Sequence, residues 1–95
     1  MPRGLRFEWD PRKSLLNKQK HKIEFEEACQ VFGDVLAITI PDPEHSDQEF
    51  REITIGQTGK MRIIVVSHTQ RDCSIRIISA RKAEPDEILQ YNEGE

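Results

Sequence analysis

From residue 35 onward, the chain contains four short runs rich in β-branched residues, separated by segments rich in turn-forming residues. Runs of this length and composition predict strands. None of the connections contains the helical crossover that parallel neighbours need, so the strands are expected to pair antiparallel. The sequence therefore predicts a four-stranded antiparallel meander, with strands at residues 35–40, 52–55, 61–69 and 74–80.

A helix is predicted directly before this region. Its apolar residues recur at the spacing of a single helical stripe, and Gly33 stands where a helix commonly ends. A short half-buried strand is predicted at residues 5–9, where apolar and polar side chains alternate. The stripe consists of Phe25, Ala28, Cys29 and Phe32.

A basic helix is predicted between that first strand and the striped helix. Asp10 is a suitable N-cap and Pro11 suits the first helical position. The helix is expected to continue to residue 20 or 21, with Leu15 and Leu16 directed inward. Its outer surface would then be strongly basic.

A closing helix is predicted from Glu84, with Ile88, Leu89 and Tyr91 as its contact residues. The element order is a strand, two helices, the meander and this last helix, which is typical of an α+β fold with helices on one face of the sheet. Residues 1–95 are expected to form one domain, because so short a chain cannot build two cores.

The charges are segregated along the chain, although the net charge is only -3. Residues 1–22 carry seven basic and two acidic side chains, residues 23–59 carry one and nine, and residues 60–82 carry six and one. Blocks of this kind create local potentials that the net charge conceals. They are either solvated faces or a binding surface for an anionic partner.

The composition indicates a cytoplasmic protein without a resident metal or cofactor. There is no apolar run of membrane-spanning or signal length. Cys29 and Cys73 lie within apolar patterns and are expected to be packed, reduced thiols. His21, His45 and His68 have no partner at zinc-ligand spacing, and His45 is interpreted as a loop residue.

Basic side chains are predicted at the ends of the strands. By simple alternation, Ile75, Ile77, Ser79 and Arg81 share one face of the last strand. One sheet face would be covered by helices, and the other would form an apolar floor rimmed by arginines. Such a floor suits RNA or a partner protein, whereas the alternative is that the arginines are only solvated strand ends.

A series of short motifs runs in order along nearly the whole chain. These motifs are Phe7-Glu8-Trp9-Asp10-Pro11, Asn17, Lys20-His21, Phe25-Glu26-Glu27-Ala28, Val31-Phe32-Gly33-Asp34, Glu49, Arg51, Gly56, the run from Arg76 to Ala83, Glu87 and Tyr91. Together they resemble the BrnT toxin family. One departure is Lys22, where the family commonly has glycine after the Lys-His pair, and we expect it to affect how the first helix ends.

The resemblance implies a bacterial type II toxin with a RelE-like fold, acting as a ribonuclease that arrests translation. It also implies a BrnA-like antitoxin that neutralises the toxin and binds DNA, so that this chain would contact DNA only indirectly. A heterotetramer with two antitoxins is the assembly that the family suggests. No membrane association is expected.

Metal-independent RNA cleavage requires a proton acceptor for the 2′-hydroxyl, charge stabilisation at phosphorus and a proton donor for the leaving oxygen. Arg81 is the first candidate for charge stabilisation, followed by Arg51 and Arg76. His21 is the candidate acid or base, and Glu49 is an alternative base. The candidate RNA contacts are Lys20, Lys22, Arg62, His68, Lys82 and Tyr91.

Several of these residues also have a structural interpretation. His21 could cap the first helix, Glu49 could pair with Arg51, and Tyr91 could dock the last helix. The alternative function is a non-catalytic interaction module of the same fold, taking part in operon autorepression through a DNA-binding partner. The modest acidity of the chain and the absence of a dedicated acid–base pair favour this alternative.

Overall fold

The computed structural model describes residues 5–45 and 49–93, and five strands form one sheet in the order β1-β5-β4-β3-β2. Strands β2 to β5 pair antiparallel in chain order, whereas β1 pairs with β5 in parallel. The α+β class predicted from the sequence is confirmed. The strands are β1 (Phe7–Glu8), β2 (Ile38–Pro41), β3 (Arg51–Gln57), β4 (Ile63–Arg71) and β5 (Ser74–Lys82).

The helices are α1 (Pro11–His21), α2 (Phe25–Ala28) and α3 (Pro85–Glu93), with 3-10 turns at Cys29–Gly33 and Pro43–His45. The striped helix was predicted as one continuous α-helix to Gly33, but its second half is 3-10. Over so few residues, the spacing of the apolar side chains does not distinguish an α-helix from a 3-10 helix. This turn packs Val31 against Gly56 of β3, where an added Cβ would lie 2.8 Å from the Val31 Cβ.

The helices lie on both faces of the sheet, which corrects the prediction of a single covered face. The main core packs α2 and its 3-10 turn against β4 and β5. A second, smaller core joins Ile55, Val65 and Tyr91 on the opposite face. Tyr91 brings α3 to that face, and its hydroxyl donates a 2.6 Å hydrogen bond to Asp34. The main core consists of Ile23, Phe25, Ala28, Cys29, Val31, Ile64, Val66, Ile77 and Ala80.

An irregularity in the β4–β5 ladder breaks the simple alternation predicted for β5. Ser79 pairs with Ser67, but the adjoining His68 pairs with Ile77, so Ile78 is an extra residue. Ile77 therefore stays in the core beneath the helices, while Ser79 and Arg81 lie on the opposite face. The prediction that Ile75, Ile77, Ser79 and Arg81 share one face is therefore wrong.

The inward-facing side chain of α1 is Asn17, and the prediction for Leu15 and Leu16 is wrong. The two leucines are 59% and 62% exposed, whereas Asn17 is 7% exposed. Asn17 Nδ2 donates to the Ile23 carbonyl at 2.9 Å, and its Oδ1 accepts from the Ala80 amide at 3.0 Å. Because β1 is too short to pair with this part of β5, the Ala80 amide needs a side-chain acceptor.

Two other residues predicted to be packed, Leu89 and Cys73, are exposed, and so is Val35, which was predicted to begin a strand. Val35 is 95% exposed because Asp34 makes a turn, in which its Oδ1 accepts from the Leu36 amide, so β2 begins only at Ile38. Leu89 on α3 is 58% exposed, and Cys73 lies exposed in the turn between β4 and β5. None of the helices within residues 5–45 and 49–93 has the length and apolar character required to cross a membrane.

Asn17→Ala should lower the free energy of unfolding by about 2–4 kcal/mol, because the Ile23 carbonyl and the Ala80 amide would lose their buried partner. Leu16→Ala, one residue away, should change it by less than about 0.5 kcal/mol. Urea unfolding of both variants measures the difference. A larger loss in Leu16→Ala would contradict this account of α1.

Lys22→Gly should raise the free energy of unfolding by about 0.5–1 kcal/mol, because Lys22 caps α1 in the left-handed region at φ 63° and ψ 30°. The helix thus ends as it would with glycine, and the lysine carries a strain that glycine lacks. Lys22→Ala is the control, since its Cβ keeps the strain. In thermal unfolding, Lys22→Gly should have a higher midpoint temperature than the wild type and Lys22→Ala. An equal rise in Lys22→Ala would contradict the explanation by backbone strain.

Candidate functional site

The sheet face opposite α1 and α2 carries a depression of about 330 Å³, called here the open-face depression. Its apolar floor is formed by Ile53, Val65 and Ile78. This is the kind of floor rimmed by polar and basic groups that the strand pattern predicts. Its polar lining residues are Asp42, His45, Arg51, Ser67, Ser79 and Arg81.

A second depression of about 320 Å³, called here the edge depression, lies where the end of α1 meets the end of β5. Five of its six lining residues carry basic or imidazole side chains, and the sixth is an acid. A basic concavity of this kind concentrates anionic ligands. The lining residues are Lys20, His21, Lys22, Arg81, Lys82 and Glu84.

Arg81 lines both depressions and is held in place by Glu87 of α3. Arg81 Nη1 and Nη2 donate to the two Glu87 carboxylate oxygens, each at 2.8 Å, and Nη1 also donates to the Lys82 carbonyl at 3.3 Å. The bidentate bond to Glu87 raises the pKa of Arg81, and the same bond lowers the pKa of Glu87. Arg81 is therefore a fixed cation with a partner.

Glu49 precedes β3, whose first residue is Arg51, and Arg51 Nε donates to Glu49 at 3.4 Å. The second Glu49 oxygen accepts from Arg71 Nη2 at 3.4 Å. The pairing of Glu49 with Arg51, one of the two interpretations of the sequence, is thus present. Only Arg51 of the two lines the open-face depression.

Arg76 lies at the opposite end of β5 from Arg81. Its Nη1 donates to Glu8 of β1 at 2.7 Å, across the one parallel pairing of the sheet. Arg81 lies five positions further along the strand than Arg76, a distance of roughly 16 Å. Arg76 is not among the lining residues of either depression.

His68 and Tyr91, two of the predicted RNA contacts, have buried side chains. His68 is 5% exposed, its Nε2 lies 2.7 Å from the Thr54 hydroxyl, and its ring packs edge-on against Phe32. Burial lowers the pKa of His68 to about 4, so the imidazole is neutral at physiological pH. Tyr91 is 4% exposed and bonds to Asp34, which corresponds to the docking interpretation.

Arg62, a third predicted RNA contact, supports the end of α1 and the turn that follows it. It bonds to both carboxylate oxygens of Glu27, and Nη2 also donates to the Lys22 carbonyl at 3.0 Å. Glu27 is 5% exposed and also accepts from the Thr58 hydroxyl at 2.8 Å. The bond from Arg62 holds the pKa of Glu27 below its usual value.

His45 is the side chain at the open-face depression that the sequence interpretation missed. Its Nδ1 lies 2.9 Å from Asp42 Oδ2, and both residues line the depression with Arg51 and Arg81. The available signal was the Asp-Pro-x-His spacing directly after a strand. The spacing alone does not say which way the turn points, so His45 was interpreted as an ordinary loop residue.

A larger depression, of about 550 Å³, lies between the Cys29–Gly33 turn and the β3–β4 hairpin. Its lining includes Glu26 and Asp34 and no basic side chain. It is therefore poorly suited to a polyanion. Within residues 5–45 and 49–93, no group of three or more His, Cys, Asp or Glu side chains is placed to hold a metal ion.

Two comparisons relate the chain to known proteins. A family model described as the ribonuclease toxin BrnT of type II toxin–antitoxin systems matches residues 9–87. The chain is similar to the crystal structure of the Brucella abortus ribonuclease toxin BrnT, with a TM-score of 0.67 and 26% sequence identity, over 84% of this chain and 97% of that one. No curated protein sequence matches the chain.

Glu27→Gln should lower the free energy of unfolding at pH 7 by about 1–3 kcal/mol, because a buried charged bond to Arg62 is lost. The pKa of Glu27 is depressed from 4.5 in the folded state, so its contribution is present above that value and is lost as the pH falls through the folded pKa. The variant should therefore approach the wild type only as the pH falls below 4.5 towards the folded pKa.

The matched control is Glu26→Gln, because Glu26 is exposed on the same turn. Urea unfolding between pH 7 and pH 3 measures the two variants against the wild type. A Glu26 variant with the same pH-dependent deficit would contradict the assignment to the Glu27–Arg62 pair.

Proposed function

The chain belongs to the family of BrnT ribonuclease toxins of type II toxin–antitoxin systems, and we propose that it cleaves RNA without a metal ion at a site centred on Arg81. The observation that carries this proposal is that Arg81 lines both the open-face and the edge depression. A phosphate beside Arg81 has basic side chains on either side of it, along the direction an RNA backbone would take.

Arg81 stabilises the charge that builds up on the phosphoryl oxygens in this mechanism. A guanidinium stays charged and binds two oxygens in a fixed fork, which suits a transition state with spread negative charge. The bonds to Glu87 and Lys82 engage three of its five N–H donors, counting partners among the described residues. Two donors are left for a phosphate.

Glu87 positions Arg81 in this proposal. Its two bonds fix the plane of the guanidinium before RNA binds, which reduces the ordering cost of the transition state. The Glu87 carboxylate also offsets part of the positive charge of Arg81. Arg81 therefore binds the phosphate of the uncleaved substrate less tightly than an unpaired guanidinium would. The arrangement favours the more highly charged transition state over the substrate.

The neighbouring basic residues bind the rest of the backbone. Lys20, Lys22 and Lys82 contact flanking phosphates in the edge depression, and Arg51 contacts one in the open-face depression. His21, which lies among the lysines, donates a proton to the leaving 5′-oxygen. Arg76, Arg62, His68, Tyr91 and Glu49, which line neither depression, are left out of the proposed site.

An antitoxin of the BrnA kind is the proposed protein partner, and it inhibits by covering the basic surface. The exposed Leu15 and Leu16 of α1 lie beside the basic residues Arg12, Lys13 and Lys18. An acidic partner with apolar residues could therefore make both apolar and charged contacts there.

The remaining parts of the proposal follow the family resemblance: a RelE-like toxin in the cytoplasm, arrest of translation, and a heterotetramer that contacts DNA through two antitoxins.

A non-catalytic module that takes part in operon autorepression is the second candidate. One observation favours it: Arg51, Arg76 and Arg81 each pair with a carboxylate, at Glu49, Glu8 and Glu87. Arginines occupied in this way are also expected in a protein that only packs and binds. The two candidates differ in whether the lone chain damages RNA.

Arg81→Ala should reduce the rate of RNA cleavage by about 100-fold or more, because one preorganised donor pair is lost from the transition state. Purified wild type and variant are incubated with a short RNA in EDTA, and the single-turnover rate is measured. Induced expression of the lone chain should arrest growth for the wild type and not for Arg81→Ala.

Arg12→Ala is the matched control, because Arg12 is an exposed arginine of α1 outside both depressions. It should retain cleavage and growth arrest. Circular dichroism establishes that each variant is folded. Intact RNA and normal growth with folded wild-type protein would favour the module, and full activity in Arg81→Ala would remove that residue from the site.

A further inference from the structure

Asp42 and His45 form a dyad at the rim of the open-face depression. His45 Nδ1 lies 2.9 Å from Asp42 Oδ2. Both belong to the short segment in which β2 ends and the Pro43–His45 turn begins, and both line the depression together with Arg51 and Arg81. A carboxylate–imidazole dyad beside two arginines is suited to proton transfer at a phosphate.

The dyad is fixed to the strand that carries Arg51. The Asp42 amide donates to the Arg51 carbonyl at 2.9 Å, and the His45 amide donates to the Asp42 carbonyl at 3.3 Å. Pro41, the residue before Asp42, is still paired with Glu52 in the β2–β3 ladder. The imidazole is thus placed relative to Arg51 by backbone bonds, although the ring itself is exposed.

The contact with Asp42 determines which nitrogen of His45 can accept a proton. An ionised carboxylate only accepts hydrogen bonds, so Nδ1 carries the hydrogen in this contact. The lone pair of the neutral imidazole is then on Nε2. Among the residues that the structure describes, the charged groups that line the depression with the ring are Asp42, Arg51 and Arg81. The carboxylate stabilises the imidazolium formed when Nε2 takes up a proton.

We propose that His45 is the general base of the cleavage reaction and that Asp42 positions it. His45 Nε2 takes the proton of the ribose 2′-hydroxyl, and the 2′-oxygen forms a bond to phosphorus. The bond from phosphorus to the 5′-oxygen breaks, and that oxygen takes a proton from His21. The products are a 2′,3′-cyclic phosphate and a 5′-hydroxyl, with no net change in protons bound to RNA and protein together.

The proposal gives the two adjoining depressions different tasks, with Arg81 between them. The open-face depression holds the base and the edge depression holds the acid, so the attacking and leaving oxygens lie on opposite sides of the phosphorus. In-line displacement needs this arrangement. The inference rests on the proposed ribonuclease function and adds the residue that the sequence interpretation lacked.

The test measures single-turnover cleavage of a short RNA from pH 5 to pH 9, for the wild type and for His45→Ala, Asp42→Asn, His21→Ala and Glu44→Ala. His45→Ala should lower the rate by about 100-fold or more and remove the rise in rate on the acidic side of the profile. Added imidazole should restore part of the rate. Asp42→Asn should lower the maximal single-turnover rate more than it raises the protein concentration that gives half of that rate, and it should shift that rise in pH.

Glu44→Ala is the matched control, because Glu44 is exposed on the same turn and does not line the depression. Its rate and pH profile should equal those of the wild type. Thermal unfolding establishes that the variants are folded, and the wild-type product should carry a 2′,3′-cyclic phosphate.

The outcomes separate this inference from the function on which it rests. If the wild type cleaves, Arg81→Ala does not, and His45→Ala keeps the wild-type rate and profile, then His45 is not the base and the ribonuclease proposal stands. If the rise in rate on the acidic side of the pH profile disappears in His21→Ala and not in His45→Ala, the base is His21. If the folded wild type does not cleave RNA, both proposals are wrong.

Discussion

The short first strand is the constraint on which the rest of this structure depends. β1 has only two residues, and it pairs with β5 at Ile75 and Arg76 alone. The remainder of that sheet edge must find other partners for its backbone groups. Asn17 supplies one at Ala80, which places the end of α1 beside the end of β5. The edge depression and its basic lining follow from this contact.

The second determinant is the extra residue in β5. Without it, Ile77 and Arg81 would lie on the same face, and either the core or the basic rim would be lost. Because of the irregular register, Ile77 and Ala80 of β5 lie in the core. Ser79 and Arg81 lie on the opposite face. Glu87 then holds Arg81 from α3, because α3 packs on that face through Tyr91. The site depends on packing that lies on both sides of the sheet.

The elements could be predicted from the sequence where a local pattern determines them. The Asp10-Pro11 helix start, the β-branched runs and the Glu84-Pro85 start each depend on neighbours within a turn or a strand. The burial of α1 could not be predicted in this way. Leucine is usually buried and asparagine is usually exposed. In α1 the exposures are reversed, because Asn17 bonds to the Ala80 amide, which is distant in sequence.

The same distinction applies to the site. Arg81 and the lysines of the edge depression could be proposed from charge and from family resemblance. The engagement of Arg62 by Glu27 and the burial of His68 could not, because their partners are far away in sequence. His45 was missed for the opposite reason. Its hydrogen-bond partner Asp42 is only three residues away in sequence. His45 is a candidate site residue because the tertiary structure brings Arg51 and Arg81 to the same depression.

The most direct test of the central position of Arg81 is an NMR titration of the folded protein with a short 2′-O-methyl RNA. This RNA lacks the nucleophilic hydroxyl and is not cleaved, so binding is observed alone. We expect the Arg81 side-chain resonances to shift together with those of Arg51 and Lys82, along one continuous path. Shifts confined to the Glu26- and Asp34-lined depression, with Arg81 unmoved, would contradict it.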